Sequence, residues 1–176
     1  QTVHLCGNDI QFELTKDKPS EKEIKDFLLF KEGWLKKNME IAFFEAVKST
    51  KMTGDAAMVG YLRDGKFGYK TLSYQNGDTL YPHYDPITNK MNLFARSYYD
   101  YDDLGNRIIE WLEVWDNTTL YRYKRAEKGA KGAINRILGI FGIDGYELVD
   151  KSIHGFPFLP IAYRRDEDGA CWSPSQ

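Results

Sequence analysis

KMNLFARSYYDYDDLGNRIIEWLEVWDNTTLYRYKR, Lys90 to Arg125, reads as three consecutive β-segments joined by short polar turns at Asp103-Leu104-Gly105 and Asp116-Asn117. In the middle segment both alternate rows are largely apolar: Ile108, Leu112 and Val114 on one, Ile109, Trp111 and Trp115 on the other, broken by Glu110 and Glu113. That pattern predicts a central strand covered on both faces. The segments beside it alternate more plainly, with Leu93, Ala95, Tyr99 and Tyr101 set against Asn92, Arg96 and Asp100, so each is expected to bury one face and wet the other. Tyr98 and Tyr121 are expected to be exposed, in want of a covering layer or a partner.

Upstream, the period changes. Ser20 followed by Glu23 is a capping box, which predicts a helix starting at Glu21. Ile24, Phe27, Leu28, Leu35, Met39, Ala42 and Ala46 then recur at helical steps. Gly33 predicts a kink or break near Glu32-Gly33, leaving one long helix or two short ones. Gly54 ends the helical region because glycine enters the left-handed conformation cheaply. From there Met58–Arg63 and Lys66–Tyr74 flank Asp64-Gly65, the dipeptide suited to a type I′ hairpin. A second turn at Gln75–Asp78 leads into Leu80–Tyr84, where Pro82 cannot donate to a ladder and so predicts an edge strand. Before all this, Ile10–Leu14 reads as a short strand.

Downstream, glycines interrupt the apolar run Ile137–Ile143, which predicts a loop or short helix. Tyr146–Ile153 returns to the sheet, and Phe158–Arg164 is a last extended segment. The whole is one α+β domain: a twisted antiparallel β-sheet, a meander of hairpins, preceded by one long or two short N-terminal helices. Its parts are an irregular leader (1–19), a helical region (20–52), the β meander (55–125), a Gly-rich loop or short helix (126–145) and return strands (146–176).

Composition narrows the function. A chain of 176 residues buries a core without disulfide or metal staples. The formal net charge of −2 lacks the basic excess of a domain that grips nucleic acid by its phosphates. Cys6 and Cys171 form neither a disulfide framework nor a zinc spacing, and no apolar run approaches the roughly 20 residues of a membrane span. The chain starts at Gln1 without methionine and ends on Ser173-Pro174, residues that suit a helix start. It therefore reads as an excised piece continuing into a helix.

Reactive constellations fail one by one. Lys128–Gly132 is glycine- and lysine-rich but lacks the G-x-x-x-x-G-K-[ST] pattern, and a solvated loop is the plainer reading. Asp100–Gly105 resembles the opening of a calcium loop, yet Leu104 and Trp111 stand where ligands are required. His4, His83 and His154 are scattered, with His154 expected to orient a turn. Glu110 and Glu113 point to opposite faces of a strand. No catalytic, cofactor-binding or metal-binding residue is assigned, and no enzymatic activity is expected.

The order of features resembles the N-terminal wing region of tailed-bacteriophage portal proteins. The likeness is carried by the helix leading into Thr53-Gly54-Asp55-Ala56-Ala57, the Asp64-Gly65 hairpin, Leu80–Asp85, Phe94–Tyr99, Val114-Trp115-Asp116 and Leu120–Tyr123. Its most specific part is His154-Gly155-Phe156-Pro157-Phe158-Leu159-Pro160, which looks like the segment preceding the family's stem helix. The run Lys128–Gly142 has no counterpart. The resemblance implies a structural, non-catalytic subunit of a ring, usually dodecameric, at a capsid vertex, through which DNA is packaged and ejected. It implies contacts with other portal subunits and with capsid or scaffold proteins. Terminase and DNA would be met by regions outside this chain, and no membrane is involved. It places the protein in the virion, and in the bacterial cytoplasm during assembly. A different class, an aromatic-rich β-sheet module that stacks carbohydrate, fits the same tyrosines and tryptophans.

Overall fold

The computed structural model describes residues 12–126 and 136–166. Ile10 and Gln11 of the expected first strand, the Lys128–Gly132 loop, His4, both cysteines and Ser173-Pro174 lie outside them. Phe12–Leu14, the described part of that strand, pairs with nothing as a strand. Phe12 instead meets Phe30 and Trp34 edge-on at 5.0 and 4.8 Å between ring centres.

Two helices follow, α1 (Glu21–Lys36) and α2 (Met39–Thr53). The capping box forms as expected: the Glu23 amide donates to Ser20 Oγ at 3.3 Å, and the Ser20 amide donates to Glu23 Oε2 at 2.7 Å. The break comes at Lys37-Asn38 and not at Gly33, which the helix simply runs through. At Asn38 the backbone turns left-handed (φ 51°), and the Tyr69 hydroxyl donates to the freed carbonyl of Lys37 at 2.6 Å. An orphan carbonyl with a waiting donor stops a helix more firmly than the modest propensity cost of one glycine. Gly54 (φ 93°) ends α2 as expected.

The strands divide between two antiparallel sheets. β1 (Asp55–Arg63), β2 (Lys66–Leu72) and the late β8 (Ile161–Arg165) form one, in the order β2-β1-β8. β3 (Thr79–Tyr84), β4 (Met91–Tyr101), β5 (Arg107–Trp115), β6 (Thr119–Arg125) and β7 (Tyr146–Ile153) form the other, in sequence order. Positive φ at both Asp64 and Gly65 marks the primed hairpin turn. β2 stops at Leu72, short of the expected Tyr74, because Tyr74–Asn76 closes a 3₁₀ turn. β3 lies at a sheet edge, where Pro82 withholds no needed donor. β8 starts at Ile161, so Phe158–Pro160 are not strand.

Cores form on both faces of the five-stranded sheet. On one, Ala95, Leu112, Val114, Tyr123 and Tyr146 pack under Leu138 of the short helix α3 (Arg136–Ile140). On the other, Phe94 and Trp115 pack against Ala57, Val59 and Leu72 of the three-stranded sheet. β5 is thus the covered central strand, but only from Leu112 to Trp115. Ile108 and Ile109 are exposed, since neither the small sheet nor α3 reaches that end. β4 departs from its expected one-sided burial: Phe94, Ala95, Arg96 and Ser97 are all buried.

Where α2, β1 and β8 meet, Asp55 accepts from the Tyr163 hydroxyl at 3.1 Å, and Lys51 pairs with Asp166 at 3.0 Å. Burial pushes the Asp55 carboxyl above its ordinary range, against the smaller opposing effects of Tyr163 and Arg165. A raised native value means that the folded state holds this proton more tightly than the unfolded chain. Its contribution is then fully present below the unfolded pKa and is lost as pH rises through the folded one. The Asp55→Asn variant should therefore gain stability relative to the parent across that window and keep a constant advantage above it. Urea unfolding from pH 4 to pH 8 checks this, and a difference that narrows as pH rises would contradict the sign.

Candidate functional site

Buried charge marks the join between the two sheets. Arg96 on β4 reaches Asp78 at 2.8 Å through one terminal nitrogen and Glu113 at 2.7 Å through the other, while its Nε donates to Glu113 Oε2 at 2.8 Å. All three residues are less than a tenth exposed. Arg122, half exposed, donates to the second oxygen of Glu113 at 3.2 Å. Cross-strand register makes this row possible: Arg96 stands opposite Glu113, which stands opposite Arg122. Asp78 also accepts from the Ser73 amide at 3.2 Å, so the loop leaving the small sheet is tied to the large one. Two cations and two anions balance, and every carboxylate oxygen has a donor. This is a structural clamp: the charges are spent on one another.

Beside the clamp, the aromatic rings expected to lie open are dressed with cations. Tyr98 lies under the Arg96 guanidinium at 4.4 Å, and its hydroxyl donates to Glu113 at 3.3 Å. Burial, then the Glu113 charge, pushes that hydroxyl above the usual phenol range. Trp111 has Arg122 over its ring at 5.4 Å and its indole N–H on Asp100 at 2.6 Å. Tyr121 has Lys151 over its ring at 5.3 Å. Tyr98 and Tyr121 are half buried and not exposed: an arginine lies along Tyr98, and Tyr121 packs against the core under α3 with Lys151 over its ring.

The residues weighed in the sequence separate as follows. Glu110 accepts from the Tyr146 hydroxyl at 2.8 Å on the face opposite Glu113, so the two acids share no site. Asp102 closes its turn on the amides of Leu104 and Asn106, and the Asn106 side chain leads the bonds that hold its carboxyl below the usual range. His83 Nδ1 meets Asn92 Oδ1 at 2.8 Å. His154 orients its turn: Nδ1 accepts from the Phe156 amide at 3.3 Å, which leaves Nε2–H to donate to the Asp116 carbonyl at 3.1 Å. Among the described residues, no three His, Cys, Asp or Glu side chains are grouped to hold a metal, and no helix is long and apolar enough to cross a membrane.

What remains is surface. α1 buries none of its residues, although Leu28 and Leu35 are 60% and 70% exposed. A second apolar patch surrounds the β1–β2 hairpin. Leu62 and Phe67 are cross-strand partners there, Phe156 meets Phe67 edge-on at 6.3 Å, and Phe158 tilts against Phe156 at 5.7 Å. Contact surface, and not a reaction centre, is what the described residues offer. The periodicity of α1 was legible in the sequence, but its lack of cover was not.

Comparison with known families gives a match to the family model described as phage portal protein, SPP1 Gp6-like, over residues 1–170. No curated protein matches the chain.

Arg96→Met should cost about 3–5 kcal/mol, because it strands a buried carboxylate at Asp78. Arg122→Met, at the wet end of the same row, should cost under about 1 kcal/mol. Chemical denaturation of the two variants checks the contrast, and equal losses would mean that the row is not a buried clamp.

Proposed function

Because this chain belongs to the SPP1 Gp6-like phage portal proteins, whose role is structural and not catalytic, we propose that its folded body is the peripheral wing of a portal ring. Such a ring is the passage through which DNA is packaged and ejected. The wing makes protein contacts with neighbouring subunits and with capsid or scaffold proteins, while terminase and DNA are met by other parts of the ring. Its place is the phage or prophage particle, reached by assembly in the bacterial cytoplasm.

The observation that carries this reading is α1, an amphipathic helix with no buried residue. A helix pays for ordering by packing its apolar face, so one that packs little against the described residues calls for a further partner. Charge agrees. With a formal net charge of −2, the chain lacks the basic excess usual in a domain that grips DNA by its phosphates. The sugar-stacking alternative finds less support, since Tyr98 and Trp111 each have one ring face occupied by arginine.

The decisive experiment is electron microscopy of the full gene product with a gold label on the Asp64-Gly65 turn. The expected result is a closed ring labelled on its outer rim, and label at the tunnel would overturn the assignment. The isolated chain should be monomeric or weakly associating in light scattering and should bind DNA weakly, with binding gone at physiological salt. A nanomolar, salt-resistant DNA complex would count against a wing.

A further inference from the structure

Among the described residues the chain passes between the two sheets twice. The first crossing is the 73–78 loop, fastened by the Asp78-Arg96 pair and by the Ser73 amide on Asp78. The second is the 154–160 segment, which leaves β7 in the large sheet and enters β8 in the small one. Charges hold the first, and an imidazole holds the second.

His154 is anchored on the large sheet. Its amide donates to the Thr118 carbonyl at 3.2 Å, and its Nε2–H donates to the Asp116 carbonyl at 3.1 Å, both on the β5–β6 turn. The far end of the crossing is fixed to the small sheet. There the Gly60 amide of β1 donates to the Pro160 carbonyl at 2.9 Å, and the Phe156 ring meets Phe67 of β2 edge-on. Between the two ends the chain bends at Gly155, left-handed at φ 85°, and the Phe156 amide closes the bend by donating to His154 Nδ1 at 3.3 Å.

That closing bond admits one protonation state. A backbone amide only donates, so Nδ1 must offer a lone pair, and a neutral ring with Nδ1 bare carries its hydrogen on Nε2, where the Asp116 carbonyl accepts it. A second proton goes to Nδ1 and sets N–H against N–H. The Asp116 bond survives, because Nε2 keeps its hydrogen in both states.

We propose that His154 is a pH-sensitive tie between the two sheets: neutral, it holds the 154–160 crossing closed, and protonated, it stays on Asp116 but releases the crossing at the Phe156 amide. The released form binds one more proton than the tied form, so the tie is present at high pH and is lost as pH falls. Imidazole is the side chain that ordinarily changes charge between about pH 5 and 8. Asp116 does not titrate with it: against the cost of burial, the Thr118 and Thr119 amides hold its carboxyl below the usual range. The other ionisable groups around the crossing are Tyr121, whose hydroxyl donates to Asp116, Lys151 of β7 over the Tyr121 ring, and Arg63, Asp64 and Lys66 at the hairpin on which Phe156 rests. Those residue types ordinarily titrate outside that window. The Asp78-Arg96-Glu113 clamp contains no imidazole, so mild acid loosens the entry to β8 and leaves the first crossing fastened.

The test is amide exchange on the isotopically labelled chain between pH 8 and pH 5, read as protection factors so that the pH dependence of the exchange chemistry itself is removed. Loss of one hydrogen bond should lower protection of the Phe156 amide about fivefold over that range. Gly60, whose amide is bound to Pro160, should follow it, and Ser73, bound to Asp78, should not change. Imidazole nitrogen shifts at pH 8 should show hydrogen on Nε2 and none on Nδ1. The His154→Asn variant keeps an acceptor for the Phe156 amide but cannot titrate, so it should retain protection at pH 8 and lose the pH dependence at Phe156 and Gly60. Hydrogen on Nδ1 at pH 8, Phe156 protection that does not vary with pH, or the same variation in His154→Asn each overturns the tie. Should the variant not fold, the two measurements on the parent chain decide the matter alone.

Discussion

Arg96 and its two carboxylates hold together a protein that would otherwise be two small sheets. Neither sheet is self-sufficient: three strands on one side and a meander on the other each present an apolar face, and the shared core of Phe94, Trp115, Ala57, Val59 and Leu72 is modest. At its margin, where water would enter, the Asp78-Arg96-Glu113 row closes the gap. Taking three charges out of water is expensive, so such a row lasts only when all its oxygens and nitrogens are satisfied. Here they are, with Arg122 completing Glu113 and the Ser73 amide completing Asp78. The clamp also specifies register, since a one-residue slip of β4 against β5 would move Arg96 away from Glu113 and onto the face of Ala95, into the apolar cluster of Leu112, Val114 and Tyr123.

The same constraint explains how the aromatic residues are spent. With 15% of the chain aromatic, a free ring face is the default expectation for some of them. Along the face of the large sheet that carries the clamp, however, arginines lie over Tyr98 and Trp111. Those cations serve as a thin layer where no third element packs. Uncovered apolar surface is left elsewhere among the described residues, on α1 and around the hairpin.

Much of the fold was legible because it is written in local chemistry. The Ser20/Glu23 box, the Gly54 terminator, the Asp64-Gly65 turn and the edge-strand Pro82 each act within a few residues, through donors, acceptors and φ angles that belong to the residue types themselves. The β4–β5–β6 meander was legible for the same reason, being sequential hairpins. Readings that required knowledge of what lies overhead went astray. Ile108 and Ile109 looked like core and are exposed, while Arg96 looked wet and is buried. Gly33 looked like a break, but the helix ended where a distant Tyr69 could reach it.

By itself, then, the sequence determined the α+β class, the order of elements and most turns, since each rests on short-range stereochemistry or composition. Only the tertiary structure decided that the strands part into two sheets, that β8 returns to pair with β1, and that Asp78, Arg96 and Glu113 converge. Burial is a property of neighbours far along the chain. Alternation of apolar and polar residues shows which residues share a face, but not which face, or how much of it, another layer will cover.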